Sequence, residues 1–71
     1  MPPKIRDLKR LLLAAHFALD SKRGKGSHVS YIHPGIKPVV LPHHDNEDAL
    51  PYLIRQVERA IQQANSIDHE K

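Results

Sequence analysis

Cysteine is absent from this 71-residue chain. That excludes a disulfide framework, a thiolate nucleophile and any cysteine-based zinc or iron–sulfur site. Tryptophan is absent too, and the aromatic residues are Phe17, Tyr31 and Tyr52. Hydrophobic residues make up 39% of the chain, and a chain this short buries only ~60–65% of the surface that it exposes when unfolded, so the core must be small. A two-domain enzyme, a Rossmann unit or a barrel does not fit. The longest apolar run is Leu11–Ala15, far below the ~20 residues that span a bilayer, so no membrane partner is expected. Met-Pro-Pro-Lys leads into no apolar signal-peptide core. The expected setting is the cytoplasm, and the expected stability comes from a compact core or a partner protein.

Charge is plentiful but unevenly spread. Residues 1–37 carry eight Lys/Arg against Asp7 and Asp20, a balance of +6. Residues 38–71 carry Arg55, Arg59 and Lys71 against six acids, a balance of −3. A basic half in a small domain attracts phosphate chains, so RNA or DNA is a natural partner.

The apolar spacing predicts five elements. Ile5, Leu8, Leu12 and Ala15 share one face of a helix over 4–15, with Leu11 and Leu13 widening the stripe. From Phe17 the pattern switches to a period of two. Residues 21–27 read as a polar, glycine-bearing turn with three cations. His28-Val29-Ser30-Tyr31-Ile32 reads as a strand, His33-Pro34-Gly35 as a tight turn, and 37–41 as a third strand that Pro42 ends. Pro38 has no amide hydrogen and belongs at a strand start or edge. An acidic loop follows, placed to favour the N-terminal dipole of a second helix that Pro51 opens. Leu53, Ile54, Val57, Ala60, Ile61 and Ala64 form that helix's apolar face. The expected class is α+β: a two-layer α-β-β-β-α sandwich forming one domain over 1–65, with a loose C-terminal tail over 66–71.

Gly24-Lys25-Gly26-Ser27-His28 carries the most chemical information. Glycine lets backbone approach a ligand, Lys25 offers a cation, Ser27 a hydroxyl, and His28 sits where the strand pleat fixes its ring. An imidazole held on a rigid element beside phosphate-binding groups is what general acid–base cleavage of a phosphodiester requires. The spacing is not that of a P-loop. The alternative reading is a β-turn whose histidine merely opens a strand. His33 with His43 or His44 would meet in a zinc site only if the loops converge, and surface histidines are the simpler reading, so no metal is expected. His16 follows the first helix. Phe17 and Tyr31 are candidates for the core.

The ordered set Lys4-Ile5-Arg6-Asp7-Leu8-Lys9-Arg10-Leu11-Leu12, Phe17, Lys25-Gly26-Ser27-His28, Tyr31, His33-Pro34 and Val39-Val40-Leu41-Pro42-x-His44 resembles the HicA family over roughly 4–64. These are small mRNA-cleaving toxins of HicAB toxin–antitoxin systems. The resemblance implies a double-stranded-RNA-binding-domain-like fold, a catalytic histidine at His28, no cofactor, and a HicB-like antitoxin that covers the active site. Two positions depart from the pattern: His16 stands where glycine is common, and Tyr52-Leu53 follows Pro51 where Gly-Thr is common.

The expected function is therefore that of a metal-independent endoribonuclease toxin acting on mRNA. His28 would be the base, and Lys22, Arg23, Lys25, Gly26 and Ser27 would hold the RNA phosphate. Water, His33 or His44 would supply the leaving-group proton. The alternative is a non-catalytic RNA-binding module of the same fold.

Overall fold

The computed structural model describes residues 2–20 and 28–69. The order of elements is the one that the periodicity predicts: α1 (Ile5–Ala14), β1 (Ala18–Asp20), β2 (His28–His33), β3 (Ile36–Pro42) and α2 (Pro51–His69). The strands form an antiparallel sheet in the order β1-β2-β3, so β3 has a free outer edge. Pro38 lies on this edge strand, where its missing amide is tolerated.

One core joins the two layers. Ile5, Leu8 and Leu12 of α1 and Leu53, Val57, Ala60 and Ala64 of α2 pack with Phe17, Tyr31, Val39 and Leu41. Register explains which strand residues reach it. Tyr31 lies opposite Val39, and Val29 opposite Leu41, on the helix-covered face. Ser30 opposite Val40, and His28 opposite Pro42, take the other face. The apolar stripe of α1 is narrower than expected. Leu11 and Leu13 are about half exposed, because only positions at the strict 3–4 step meet the sheet.

Helix α1 ends in a Schellman motif. Ala15 is the C-cap, and His16 follows in the left-handed region at φ 72°. The His16 amide donates to the Leu13 carbonyl (3.1 Å) and the Phe17 amide to the Leu12 carbonyl (3.0 Å). Buried Leu12 and Phe17 supply the motif's apolar contact. Glycine is the residue that pays no steric cost there, which is why the resemblance expects one at position 16. The β2–β3 turn makes the same demand: Pro34 is followed by Gly35 at φ 82°, the type II arrangement.

Helix α2 runs further than expected. Ser66, Ile67, Asp68 and His69 remain helical rather than fraying. Two contacts account for this. The Ile67 side chain lies against the Gly35 turn, and Asp68 lies between His33 (3.7 Å) and His16 (3.5 Å).

The expected outcome at His16 is an order of stability. A left-handed L-residue costs ~1–2 kcal/mol, and histidine tolerates it better than a β-branched residue. The exposed pair with Asp68 returns at most about 1 kcal/mol. In urea unfolding, His16→Gly should match or exceed the parent by up to about 1 kcal/mol, and His16→Val should lose about 1 kcal/mol or more. A His16→Gly variant that is clearly less stable would assign the greater weight to the Asp68 pair.

Candidate active site

His28 opens β2 at the end of the sheet, exposed on the face away from the helices. Its cross-strand partner is Pro42, and its neighbour Val29 packs against the core, so the backbone that carries the imidazole is held on both sides. His28 lines an open cleft of about 510 Å³ that wraps around the outer edge of β3. Val40 and Pro42 form one wall, Leu50, Tyr52 and Leu53 at the start of α2 form another, and Glu47 and Asp48 stand at the rim. Lys22, Arg23, Lys25, Gly26 and Ser27, the expected phosphate-binding residues, lie outside the described residues.

His33 does not join His28. It is buried at the opposite end of β2, about 16 Å away along the strand. Its Nδ1 lies 2.9 Å from the Pro34 carbonyl, and its ring stacks obliquely on Phe17 at 5.1 Å. It therefore cannot protonate a leaving group at His28, and that expectation is withdrawn. His44 lies 3.8 Å from Glu47 in the loop after β3. Among the described residues, no three histidine or acidic side chains gather as a metal-binding group.

The loop after β3 also does a job at α1. Its acids precede α2, whose own first turn contains no acid. They turn back onto α1. The Ile5 amide donates to the Glu47 carbonyl (2.9 Å) and the Arg6 amide to the Asp45 carbonyl (3.2 Å). Lys4 Nζ pairs with Asp48 (2.8 Å), Arg6 donates to Asn46 (2.8 Å), and Lys9 pairs with Asp45. Ala49 closes the junction by donating to the Pro3 carbonyl (2.8 Å). The Lys4 amide finds Asp7 within α1 (2.8 Å). Lys4 and Lys9 are thus neutralised internally.

Among the described residues, Arg10 on α1 has no ion partner, and neither do three cations elsewhere. Lys37 on β3 and Arg55 and Arg59 on α2 line a second, larger groove of about 1100 Å³. Among the described residues none of the three makes an ion pair. Counting charge by halves of the chain missed them, because Arg55 and Arg59 sit in the net-acidic half. Their i, i+4 spacing on one helix face was the available signal.

The fold, with a strand-borne histidine at the sheet's end, defines a two-layer α+β domain of the double-stranded-RNA-binding-domain-like type. The family model described as the HicA toxin of bacterial toxin–antitoxin systems matches residues 5–65. The chain belongs to this family of toxins. No curated protein and no solved structure matches.

The Lys9–Asp45 contact has a pH signature. The hydrogen bond from Lys9, with the positive charges of Lys9, His43 and Arg6, holds the Asp45 carboxyl below its ordinary value of 3.8. A depressed carboxylate stabilises the fold above its unfolded value, and the contribution is lost as pH falls through the folded one. Asp45→Asn should therefore lower the thermal midpoint at pH 6. The gap from the parent should narrow as pH falls from about 4 towards 2.5. A gap that stays constant over that range would show that the pair contributes nothing through charge.

Proposed function

We propose that this HicA-family toxin is a metal-independent endoribonuclease acting on mRNA, with His28 as the catalytic base. The observation that carries this reading is the position of His28. An exposed imidazole opens a strand whose neighbours anchor it in the core, and it faces a cleft wide enough for a nucleotide. In this reading His28 takes the proton of a ribose 2′-hydroxyl. The 2′-oxygen attacks the adjacent phosphorus, and the bond to the 5′-oxygen of the next nucleotide breaks. The products are a 2′,3′-cyclic phosphate and a 5′-hydroxyl. Water or His44 returns a proton to the leaving oxygen. Lys22, Arg23, Lys25 and the amides of Gly26 and Ser27 hold the phosphate and the charge that develops on it. DNA is spared because it lacks the nucleophile.

The reading includes a HicB-like antitoxin and a cytoplasmic setting. The sheet face beside His28 presents partly exposed Ile32 and Val40. Such a surface suits a protein that covers it and closes the cleft. Among the described residues, no helix is long and apolar enough to cross a membrane.

His28→Ala should reduce RNA cleavage by ~10²–10⁴-fold and relieve growth inhibition. It should stay folded, with a stability change within about 1 kcal/mol, because the side chain is exposed. Parent cleavage should persist in EDTA. Cleavage that survives His28→Ala would sink the mechanism and leave an RNA-binding module.

Replacing Lys22, Arg23 and Lys25 together with Gln should flatten the slope of log affinity against log salt by roughly two units. An unchanged slope would remove that loop from the interface. The antitoxin encoded beside this chain should co-purify with it and protect His28 from carbethoxylation. Labelling as fast as in the free protein would rule out inhibition by occlusion.

A further inference from the structure

The groove between α2 and the outer edge of β3 lies outside everything assigned so far. Tyr52, Arg55 and Arg59 follow one another at steps of 3 and 4, so they share one face of α2 over about 10 Å. Lys37 faces them from β3, and Gln56 and Gln63 add neutral hydrogen-bonding groups. Among the described residues, no carboxylate lines the groove. Arg55 and Arg59 repel each other at i, i+4, and among the described residues neither forms an ion pair. Lys4 and Lys9, by contrast, each have a carboxylate, and Arg6 donates to Asn46.

The groove is continuous with the His28 cleft. Tyr52 and Gln56 line both, and β3 runs from Lys37 at one end to Pro42, opposite His28, at the other. Tyr52 is 60% exposed at the junction. An aromatic ring at the mouth of a cationic groove is the arrangement that holds a single nucleic-acid strand, with phosphates on the cations and a base on the ring. An acidic protein segment would use the cations but has no need of the ring or of continuity with His28.

We propose that this groove binds the single-stranded RNA that flanks the cleaved phosphate, with Lys37, Arg55 and Arg59 on the phosphates and Tyr52 stacking on a base. The inference rests on the nuclease reading for the position of the cleaved bond, but not for binding itself. Tyr52 then has a role of its own, where a Gly-Thr helix start would offer only backbone and a hydroxyl.

Binding is measured in the His28→Ala background, which separates it from cleavage, using a 12-nucleotide unstructured RNA over a range of salt. Lys37→Gln with Arg55→Gln and Arg59→Gln should weaken binding at least about tenfold and flatten the salt slope by about two units. Tyr52→Ala should weaken it about tenfold with the slope unchanged. Arg55→Lys with Arg59→Lys should keep the slope and thereby exclude a folding defect, which circular dichroism checks directly. With His28 present, the triple substitution should raise KM and leave kcat unchanged. Unaltered affinity and slope in the triple variant would overturn the proposal. Loss of antitoxin binding with RNA binding intact would overturn it too, and would make the groove a protein dock. If the parent fails to cleave RNA while the groove variants still weaken binding, the nuclease reading falls and the groove stands.

Discussion

The N-terminus of α1 is the constraint on which the site depends. A helix start leaves amide groups without intrahelical acceptors, and burying them unpaired costs about 1–3 kcal/mol each. Here the loop after β3 supplies the acceptors through the Asp45 and Glu47 carbonyls, with Lys4–Asp48 and Lys9–Asp45 fixing its position. The same loop joins the end of β3 to the start of α2. One set of contacts therefore sets where three elements meet, and the His28 cleft opens at that junction. Ile5, Glu47, Asp48 and Leu50 line the cleft because they belong to this clamp.

The outer edge of β3 organises the rest. An unpaired edge strand is a hazard that proteins blunt with proline, charge or cover. Pro38, Lys37 and the flank of α2 serve that purpose here. What remains is a groove with a cationic half and a half that holds the imidazole. The two halves differ in character: Lys37, Arg55 and Arg59 without acids in one, and His28 with Glu47 and Asp48 at the rim in the other. In the proposed reading, the RNA chain follows the first half and proton transfer takes place in the second.

Much of the fold was legible in the residues. Period-two alternation after Phe17, the Pro34-Gly35 turn, and 3–4 spacing in both helices led to the observed order, because local patterns decided each element. Long-range partners were not legible. Nothing in Asp45-Asn46-Glu47-Asp48 says that these residues cap the first helix, since capping by a distant loop leaves no local signature. Residues 66–69 read as tail in sequence and continue the helix through contacts of Ile67 with the Gly35 turn and of Asp68 with His16 and His33, all far away in the chain. The Gly-Ser-His motif singles out His28, which lines the smaller cleft. The basic groove was hidden by counting charge along the chain instead of around the helix.

The claim at the centre of this account is that the RNA's own 2′-hydroxyl, activated by His28, breaks the phosphodiester. The termini of the products test it most directly. A defined RNA incubated with the purified protein in EDTA is expected to yield 2′,3′-cyclic phosphate and 5′-hydroxyl ends, and an RNA with a 2′-deoxy substitution at the cleaved position is expected to resist. Products carrying 5′-phosphate and 3′-hydroxyl ends, or cleavage of the 2′-deoxy position, would contradict it.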